Sequence, residues 1–142
     1  MADLTRLVPI PDADDAFFWE PLENGLLLPH CLQCSLIWLR PSPACPRCGS
    51  SNLETTEPTG GGVVYSWVVV DRALDRSFSD DVPYSVVVVE MEYGARINGR
   101  WLGAATPRAG EPVEFVVWHS GGAAVPGFRP VSGPGAADYG GR

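Results

Sequence analysis

Residues 31–49 read CLQCSLIWLRPSPACPRCG and hold all four cysteines of the 142-residue chain. The cysteines form two pairs, Cys31 with Cys34 and Cys45 with Cys48, and two residues separate the members of each pair. A two-residue spacer lets both thiolates of a turn point at one ion, and two such turns facing each other complete a tetrahedron. This stretch therefore predicts a four-thiolate metal site.

The second cysteine turn has the backbone chemistry that such a site needs. Pro46 fixes one backbone angle, and Gly49 permits the positive φ that turns the chain behind the metal. Four thiolates favour one zinc ion, and because they leave no open coordination position the ion is expected to be structural. Iron is the alternative, since residues 45–49 also resemble rubredoxin, although rubredoxin spaces its two turns much more widely.

The composition describes a folded, acidic domain. Hydrophobic residues make up 45% and charged residues 19% of the chain, the formal net charge is −7, and every basic residue is an arginine. Nucleic-acid and anionic-membrane surfaces call for clustered positive charge, so neither partner is expected. The longest aliphatic run, Val86–Val89, is far too short to span a membrane. Residues 1–4 begin no signal peptide, which makes the cytoplasm the expected compartment.

Other interpretations of the cysteines fit less well. Disulfides are uncommon in the cytoplasm, and a thioredoxin-like redox pair does not explain two pairs so close together. His30 directly precedes Cys31 and offers a further ligand. Four cysteines already complete the site, so His30 is expected at the surface or beside the ligands.

The sequence on either side of the cysteines predicts a helix before them and a strand after them. On the N-terminal side a helix is predicted over about residues 13–24, capped by Asp12, and Pro21 should kink it or divide it into two short pieces. On the C-terminal side the triplet Gly60–Gly62 lacks the ending of a phosphate-binding loop and is expected to open a bent strand.

The C-terminal half is rich in β-branched residues. Val63–Val70, Tyr84–Met91 and Val113–Trp118 predict three strands. A shorter strand is expected within Arg96–Ala105, and a last one within Val125–Val131, which two prolines interrupt. Four or five strands separated by turns suggest a small barrel or sandwich.

A self-contained catalytic site is not evident in the sequence. His119 stands alone at a predicted strand end, and the neighbours Asp80 and Asp81 read as a solvated turn. The cysteines are assigned to the metal, and the absence of lysine excludes a Schiff base on a side chain. These features predict a protein that is not an enzyme by itself.

Aromatic residues are concentrated beside the cysteine region, at Phe17, Phe18, Trp19 and Trp38. A small metal module cannot easily bury all four. They either pack against the barrel or form an apolar patch for a partner subunit or an acyl chain. We take them as the hypothetical partner interface.

The order of helix, cysteine turns and β region resembles one family, the OB-fold, acyl-CoA-associated proteins with a rubredoxin-like zinc ribbon (domain of unknown function 35). The stretches that carry the resemblance are Phe18–Glu20, Gly25–Leu28, Cys45–Ser50, Gly60–Trp67, Val82–Tyr84, Gly110–Val113 and Phe128–Pro130. Pro21 and the Gly121-Gly122 loop depart from it. The resemblance, which runs from about Phe17 to Pro130, implies a mainly β fold with an N-terminal helix, a four-cysteine zinc ribbon over 26–55 and an OB-fold-like antiparallel barrel over 56–131. Pro9 and Pro11 indicate an extended arm before the helix, so that arm and helix occupy 1–25, and the glycine-rich composition of 132–142 indicates a flexible tail.

The resemblance also implies a non-catalytic accessory role. Members of this family accompany a thiolase-like catalytic subunit, of the sterol-carrier-protein type in steroid side-chain aldolases, where the partner cleaves a β-hydroxyacyl-CoA by a retro-aldol reaction. Acyl-CoA and an enoyl-CoA hydratase are further implied partners. Two alternatives stay open: a single-stranded nucleic-acid binder, which the net charge of −7 disfavours, and a rubredoxin-like iron electron carrier.

Overall fold

The computed structural model describes residues 16–131, so the predicted arm, the cap at Asp12 and the tail over 132–142 lie outside the described residues. The helical elements are α1 (Ala16–Trp19) and two 3-10 helices, Glu20–Asn24 and Arg76–Phe78. The strands are β1 (Leu28–Cys31), β2 (Leu53–Thr56), β3 (Gly61–Val70), β4 (Tyr84–Met91), β5 (Arg96–Trp101), β6 (Pro112–Ser120) and β7 (Ala123–Pro130). No helix in this part of the chain is long and apolar enough to cross a membrane.

The N-terminal helix is divided as Pro21 predicts. α1 ends at Trp19, and the chain continues as a 3-10 helix that carries the proline in its first turn. Proline has no N–H for the bond to the preceding turn, and its ring collides with the carbonyl four residues earlier, so the α-helical pattern stops there. Gly25 ends the segment at φ 115°, and its N–H donates to the carbonyl of Leu22 at 3.1 Å.

Five strands close into a barrel in the order β3-β4-β5-β7-β6. The predicted mainly β class is confirmed. Neighbouring strands are antiparallel except β5 and β7, whose short contact is parallel and pairs Arg100 with Gly127 and Trp101 with Phe128. Local periodicity carries no information about which distant strands meet, so the sequence did not indicate this parallel closure. The domain boundaries given above remain predictions.

The last hairpin is longer than predicted. β7 begins at Ala123 and pairs with β6 over eight positions, from Ser120↔Ala123 to Val113↔Pro130. Gly121 and Gly122 both have positive φ, 58° and 82°, which is the backbone of the tight two-residue turn that joins twisted antiparallel strands. The departure noted at these glycines is therefore a hairpin turn.

The strand residues that point inward, every second one along a strand, fill the core of the barrel. In β4 the buried residues are Val87, Val89 and Met91, each two positions apart, as expected for a strand with one face inward. The other members of the same cluster are Leu22, Leu26, Val64, Ile97, Trp101, Val113 and Phe128. Since Leu22 and Leu26 belong to this cluster, the N-terminal segment is part of the barrel core.

Gly62 lets β3 bend close to β4, and its replacement by alanine is expected to destabilise the barrel. A Cβ at this position would lie 2.6 Å from the Glu90 carbonyl oxygen and 2.7 Å from a Val89 methyl. Both distances are shorter than a van der Waals contact, and the backbone of β4 would have to move to relieve them. We expect Gly62→Ala to lower the free energy of unfolding by about 1–3 kcal/mol, measured by urea denaturation. Ser66→Ala, at an exposed position of the same strand, is the control, and equal stabilities of the two variants would contradict the prediction.

Candidate metal centre

The two cysteine turns are near copies of each other. In each turn the residue after the second cysteine donates its N–H to the carbonyl of the first: Ser35 to Cys31 and Gly49 to Cys45, both at 2.9 Å. These two residues also share a positive φ, 63° at Ser35 and 77° at Gly49. The positive φ at Gly49 is confirmed. A serine gives no such signal, so the matching conformation of Ser35 was not predicted.

The four sulfur atoms of Cys31, Cys34, Cys45 and Cys48 come together. All lie within 4.8 Å of one another, and the Sγ–Sγ distance is 3.6 Å for both Cys31–Cys48 and Cys34–Cys45. A tetrahedron with metal–sulfur bonds of about 2.3 Å has edges of about 3.8 Å. The residues present therefore fit one metal ion, and a set of four thiolates suits zinc or iron.

The protonation of the cluster is uneven. Burial is the largest single influence on the pKa of Cys45 and raises it, but the N–H groups of Cys48 and Arg47 and the neighbouring thiols together lower it to about 6. For Cys48 the N–H of Ser50 lowers the pKa, while burial and the neighbouring thiols raise it to about 11. A bound cation would take the place of the remaining thiol protons.

A two-stranded sheet supports the cysteine turns. β1 pairs with β2 from Leu28↔Thr56 to Cys31↔Leu53, so that the first cysteine stands at the end of a strand. His30 faces across this sheet, and its Nδ1 lies 2.9 Å from a carboxylate oxygen of Glu54. His30 is thus a partner of Glu54 beside the cysteine cluster.

The predicted aromatic interface borders a groove between the metal ribbon and the barrel. Phe18 and Trp19 stack edge to face at 5.3 Å and pack partly against the barrel core. The groove, about 340 Å³, is lined by Phe18, Trp19, Leu39, Arg40, Pro41, Arg96, Ile97, Asn98 and Pro126. Phe17 and Trp38 are half-buried outside this lining. The structure thus brings two of the four aromatic residues to one concave surface.

The indole Nε1 of Trp38 is fully buried, and its N–H donates to no acceptor among residues 16–131. Buried donors are nearly always satisfied, because an unsatisfied one costs roughly 1–3 kcal/mol.

The barrel carries a second concave surface that the sequence did not indicate. Its central residue is Arg100, whose guanidinium lies 3.8 Å from the Tyr84 ring centre and 4.7 Å from that of Trp118. The same guanidinium is 3.4 Å from a carboxylate oxygen of Asp81. A cleft of about 470 Å³ beside it is lined mainly by apolar side chains, among them Phe78. Only folding assembles this cluster, because Arg100 is 16 positions from Tyr84, 18 from Trp118 and 19 from Asp81 in the sequence.

His119 is placed at the surface of the barrel. Its Nε2 lies 2.9 Å from a carboxylate oxygen of Glu23, and both side chains are about half exposed. The pair connects β6 to the 3-10 helix that precedes the metal ribbon. Among the described residues, the side-chain partner that the structure gives His119 is therefore a surface carboxylate.

A four-cysteine ribbon joined to a closed five-stranded barrel of this strand order defines an OB-fold protein with a candidate metal-binding ribbon. A family model described as ChsH2, C-terminal OB-fold domain, matches residues 55–119. Over a longer region the chain is similar to a solved structure described as Ltp2-ChsH2(DUF35) aldolase, with a TM-score of 0.73, 31% identity and coverage of 87% of this chain and 98% of that one. The chain belongs to the DUF35 family of OB-fold proteins.

Curated relatives carry two kinds of description. A probable enoyl-CoA hydratase alpha subunit of Thermomonospora curvata is 34% identical over 98 residues, which are 68% of this chain and 30% of that protein. A DUF35 domain-containing scaffold protein of Methanothermobacter thermautotrophicus is 35% identical over 81 residues, 56% of this chain and 60% of that protein. The chain therefore matches between about a third and three fifths of the length of these relatives.

Proposed function

We propose that this chain is a non-catalytic accessory subunit of an acyl-CoA enzyme complex whose catalytic partner is a thiolase-like protein. The observation that carries the proposal is its similarity to nearly the whole of one solved chain, 98% at 31% identity, from a protein described as an aldolase. The scaffold and hydratase-subunit descriptions of two further relatives support an accessory role.

The specific reaction that we propose for the complex is retro-aldol cleavage of a steroid side-chain β-hydroxyacyl-CoA. The aldolase description of the solved relative supports this choice over thiolysis. An enoyl-CoA hydratase is a coherent further partner, because adding water to an enoyl-CoA produces the β-hydroxyacyl-CoA that a retro-aldol step consumes, and one relative is described as such a subunit. The catalytic subunit supplies the reacting groups, and this chain stabilises it.

For the metal cluster we propose one zinc ion with a structural role. It would be held by Cys31, Cys34, Cys45 and Cys48, whose sulfur spacing supports tetrahedral coordination. Four protein ligands leave no position for water or substrate, so the ion would fix the ribbon and take no part in chemistry.

The groove between ribbon and barrel is our proposed contact surface for the catalytic subunit and its CoA channel. Phe18 and Trp19 offer apolar area there. Arg40 and Arg96 also line the groove, and guanidinium groups commonly bind phosphates such as those of CoA. Trp38, half-buried outside the groove lining, is kept in the proposed interface because it directly precedes Leu39, which lines the groove. Phe17, half-buried on the same short helix, completes the proposed interface.

Co-expression with the thiolase-like subunit of the same organism tests the proposed function. Light scattering on a sizing column should find a mixed complex, and aldol cleavage of a steroid β-hydroxyacyl-CoA should require this chain. If the two proteins elute separately and the activity of the partner is indifferent to this chain, the proposal fails. A complex that catalyses thiolysis and not aldol cleavage would retain the accessory role and overturn only the proposed reaction.

The double variant Phe18→Ala, Trp19→Ala is expected to weaken the complex at least tenfold in dissociation constant, since central aromatic residues dominate the energetics of interfaces. Isothermal titration with the catalytic subunit measures the change, and circular dichroism verifies the fold, because both rings also pack against the core. Leu32→Ala, at an apolar residue of the ribbon that is 49% exposed, is the control. Wild-type affinity in the folded double variant would exclude this placement of the interface.

A further inference from the structure

The second half of β3 is the most exposed apolar segment among the described residues. Tyr65, Trp67, Val68 and Val69 are 52%, 39%, 56% and 43% exposed. Successive strand residues point to opposite faces, so this run exposes apolar side chains on both faces of the strand. We name residues 65–70 the β3 edge.

The β3 edge is also unpaired along one side. β6 pairs with β3 only from Gly61 to Val63, and the last hydrogen bonds on that side are made by Val64, with the carbonyl of Glu111 and the N–H of Gly110. Beyond that point β3 pairs with β4 alone, and its register shifts at Tyr65. Such a shift marks a bulge, which bends a strand away from its neighbour. Within residues 16–131 nothing pairs with the outer side of the β3 edge.

Natural proteins usually protect an open strand edge with charge, proline or a covering element. The β3 edge contains neither a charged residue nor a proline. Charged residues border it: Asp71 follows Val70 in the chain, and the guanidinium of Arg96 stacks 3.8 Å above the Tyr65 ring and is bound by Glu90 at 3.0 Å. An unprotected apolar edge of this kind is suited to receive an added strand.

The charge of the chain identifies the kind of occupant. Each copy carries a net charge of −7, and net charge far from zero opposes the association of identical copies. A different protein avoids this repulsion and can bring apolar side chains to the uncharged edge. The solved relative is described by two component names, Ltp2 and ChsH2, which is in keeping with a partner of another kind.

We infer that the β3 edge binds an extended, apolar segment of the catalytic subunit by strand addition. Backbone hydrogen bonds to the open side of β3 would hold the segment, and Trp67, Val68 and Val69 would cover its side chains. This inference rests on the proposed function and adds to it a second contact surface, separate from the groove beside Phe18 and Trp19.

Val68→Lys tests the inference, and Val131→Lys is its matched control. The two valines are similarly exposed, 56% and 51%, and undergo the same chemical change, but Val131 lies beyond the end of β7. Titration of each variant with the purified thiolase-like subunit should find the dissociation constant at least tenfold higher for Val68→Lys and within twofold of wild type for Val131→Lys. Both variants should keep the wild-type melting temperature, because neither side chain is buried.

Three outcomes would overturn the inference. Wild-type affinity in Val68→Lys, with the wild-type complex intact, would remove the β3 edge from the interface and leave the proposed function standing. A free chain that is dimeric by light scattering and becomes monomeric in Val68→Lys would assign the edge to a second copy. A wild-type chain that binds no catalytic subunit would overturn the proposed function together with this inference.

Discussion

Cys45→Ser is expected to abolish stoichiometric metal binding and to unfold the metal ribbon while the barrel stays folded. Cys45 is buried at the centre of the cluster, with its sulfur 3.6 Å from that of Cys34. Four-thiolate sites contribute their binding energy directly to folding, about 10–16 kcal/mol for zinc in small peptides. Leu28 and the cysteines are not members of the barrel core, so the loss should remain local.

Two measurements check this result. Elemental analysis should give one metal per wild-type chain and close to none in Cys45→Ser, and amide exchange should accelerate in β1 and β2 but not in β4 or β5. Ser51→Ala, an exposed change within the ribbon, serves as the control. A Cys45→Ser protein with full metal content and wild-type exchange would contradict the site. Elemental analysis also identifies the metal. A zinc protein is colourless, whereas an iron protein absorbs visible light and would support the electron-carrier alternative.

The second large effect is expected from Phe128→Ala in the barrel core. Phe128 is fully buried, and its ring stands edge to face against Phe115 with centres 5.7 Å apart. Opposite it, Gly99 leaves room for the ring, since a Cβ there would come within 2.6 Å of it. Removing a buried phenyl ring costs about 3–5 kcal/mol, a large part of the roughly 5–15 kcal/mol that stabilises an ordinary domain.

Thermal unfolding should therefore begin about 10–15 °C lower in Phe128→Ala than in the wild type. Leu74→Ala removes an apolar side chain that is 98% exposed and should leave the midpoint unchanged. Similar midpoints for Phe128→Ala and the wild type would mean that the ring does not fill the barrel as described. Metal content is a useful second readout, because the ribbon should still bind its ion in the folded fraction.

Local chemistry made several elements predictable. The spacing of the cysteines predicted the cluster, because a two-residue turn can direct two sulfur atoms to one point without help from the rest of the chain. Pro21 predicted the divided helix, since its effect depends only on its own ring and missing N–H. Tyr84–Met91 was predicted with its observed bounds, because β-branched residues run without interruption between two turns.

Other features depend on contacts between distant residues. The contacts of Arg100 with the rings of Tyr84 and Trp118 join three strands, and no local pattern in the sequence specifies them. The short lengths of β1 and β2 left them unpredicted, since their pairing is brought about by the cysteine turns. The unpaired side of β3 was likewise not predictable from the sequence, because the sequence of a strand does not show where the neighbouring strand ends.

The sequence by itself therefore determined the cluster of four cysteines, the division of the first helix, most of the strands and the acidic charge. Each of these follows from the geometry of a few adjacent residues or from composition. The tertiary structure alone decided the barrel closure through the parallel β5–β7 contact, the groove beside Trp19 and the open β3 edge. These depend on which distant surfaces meet, and that choice is made by burial of the whole core, to which the N-terminal Leu22 and the C-terminal Phe128 both contribute.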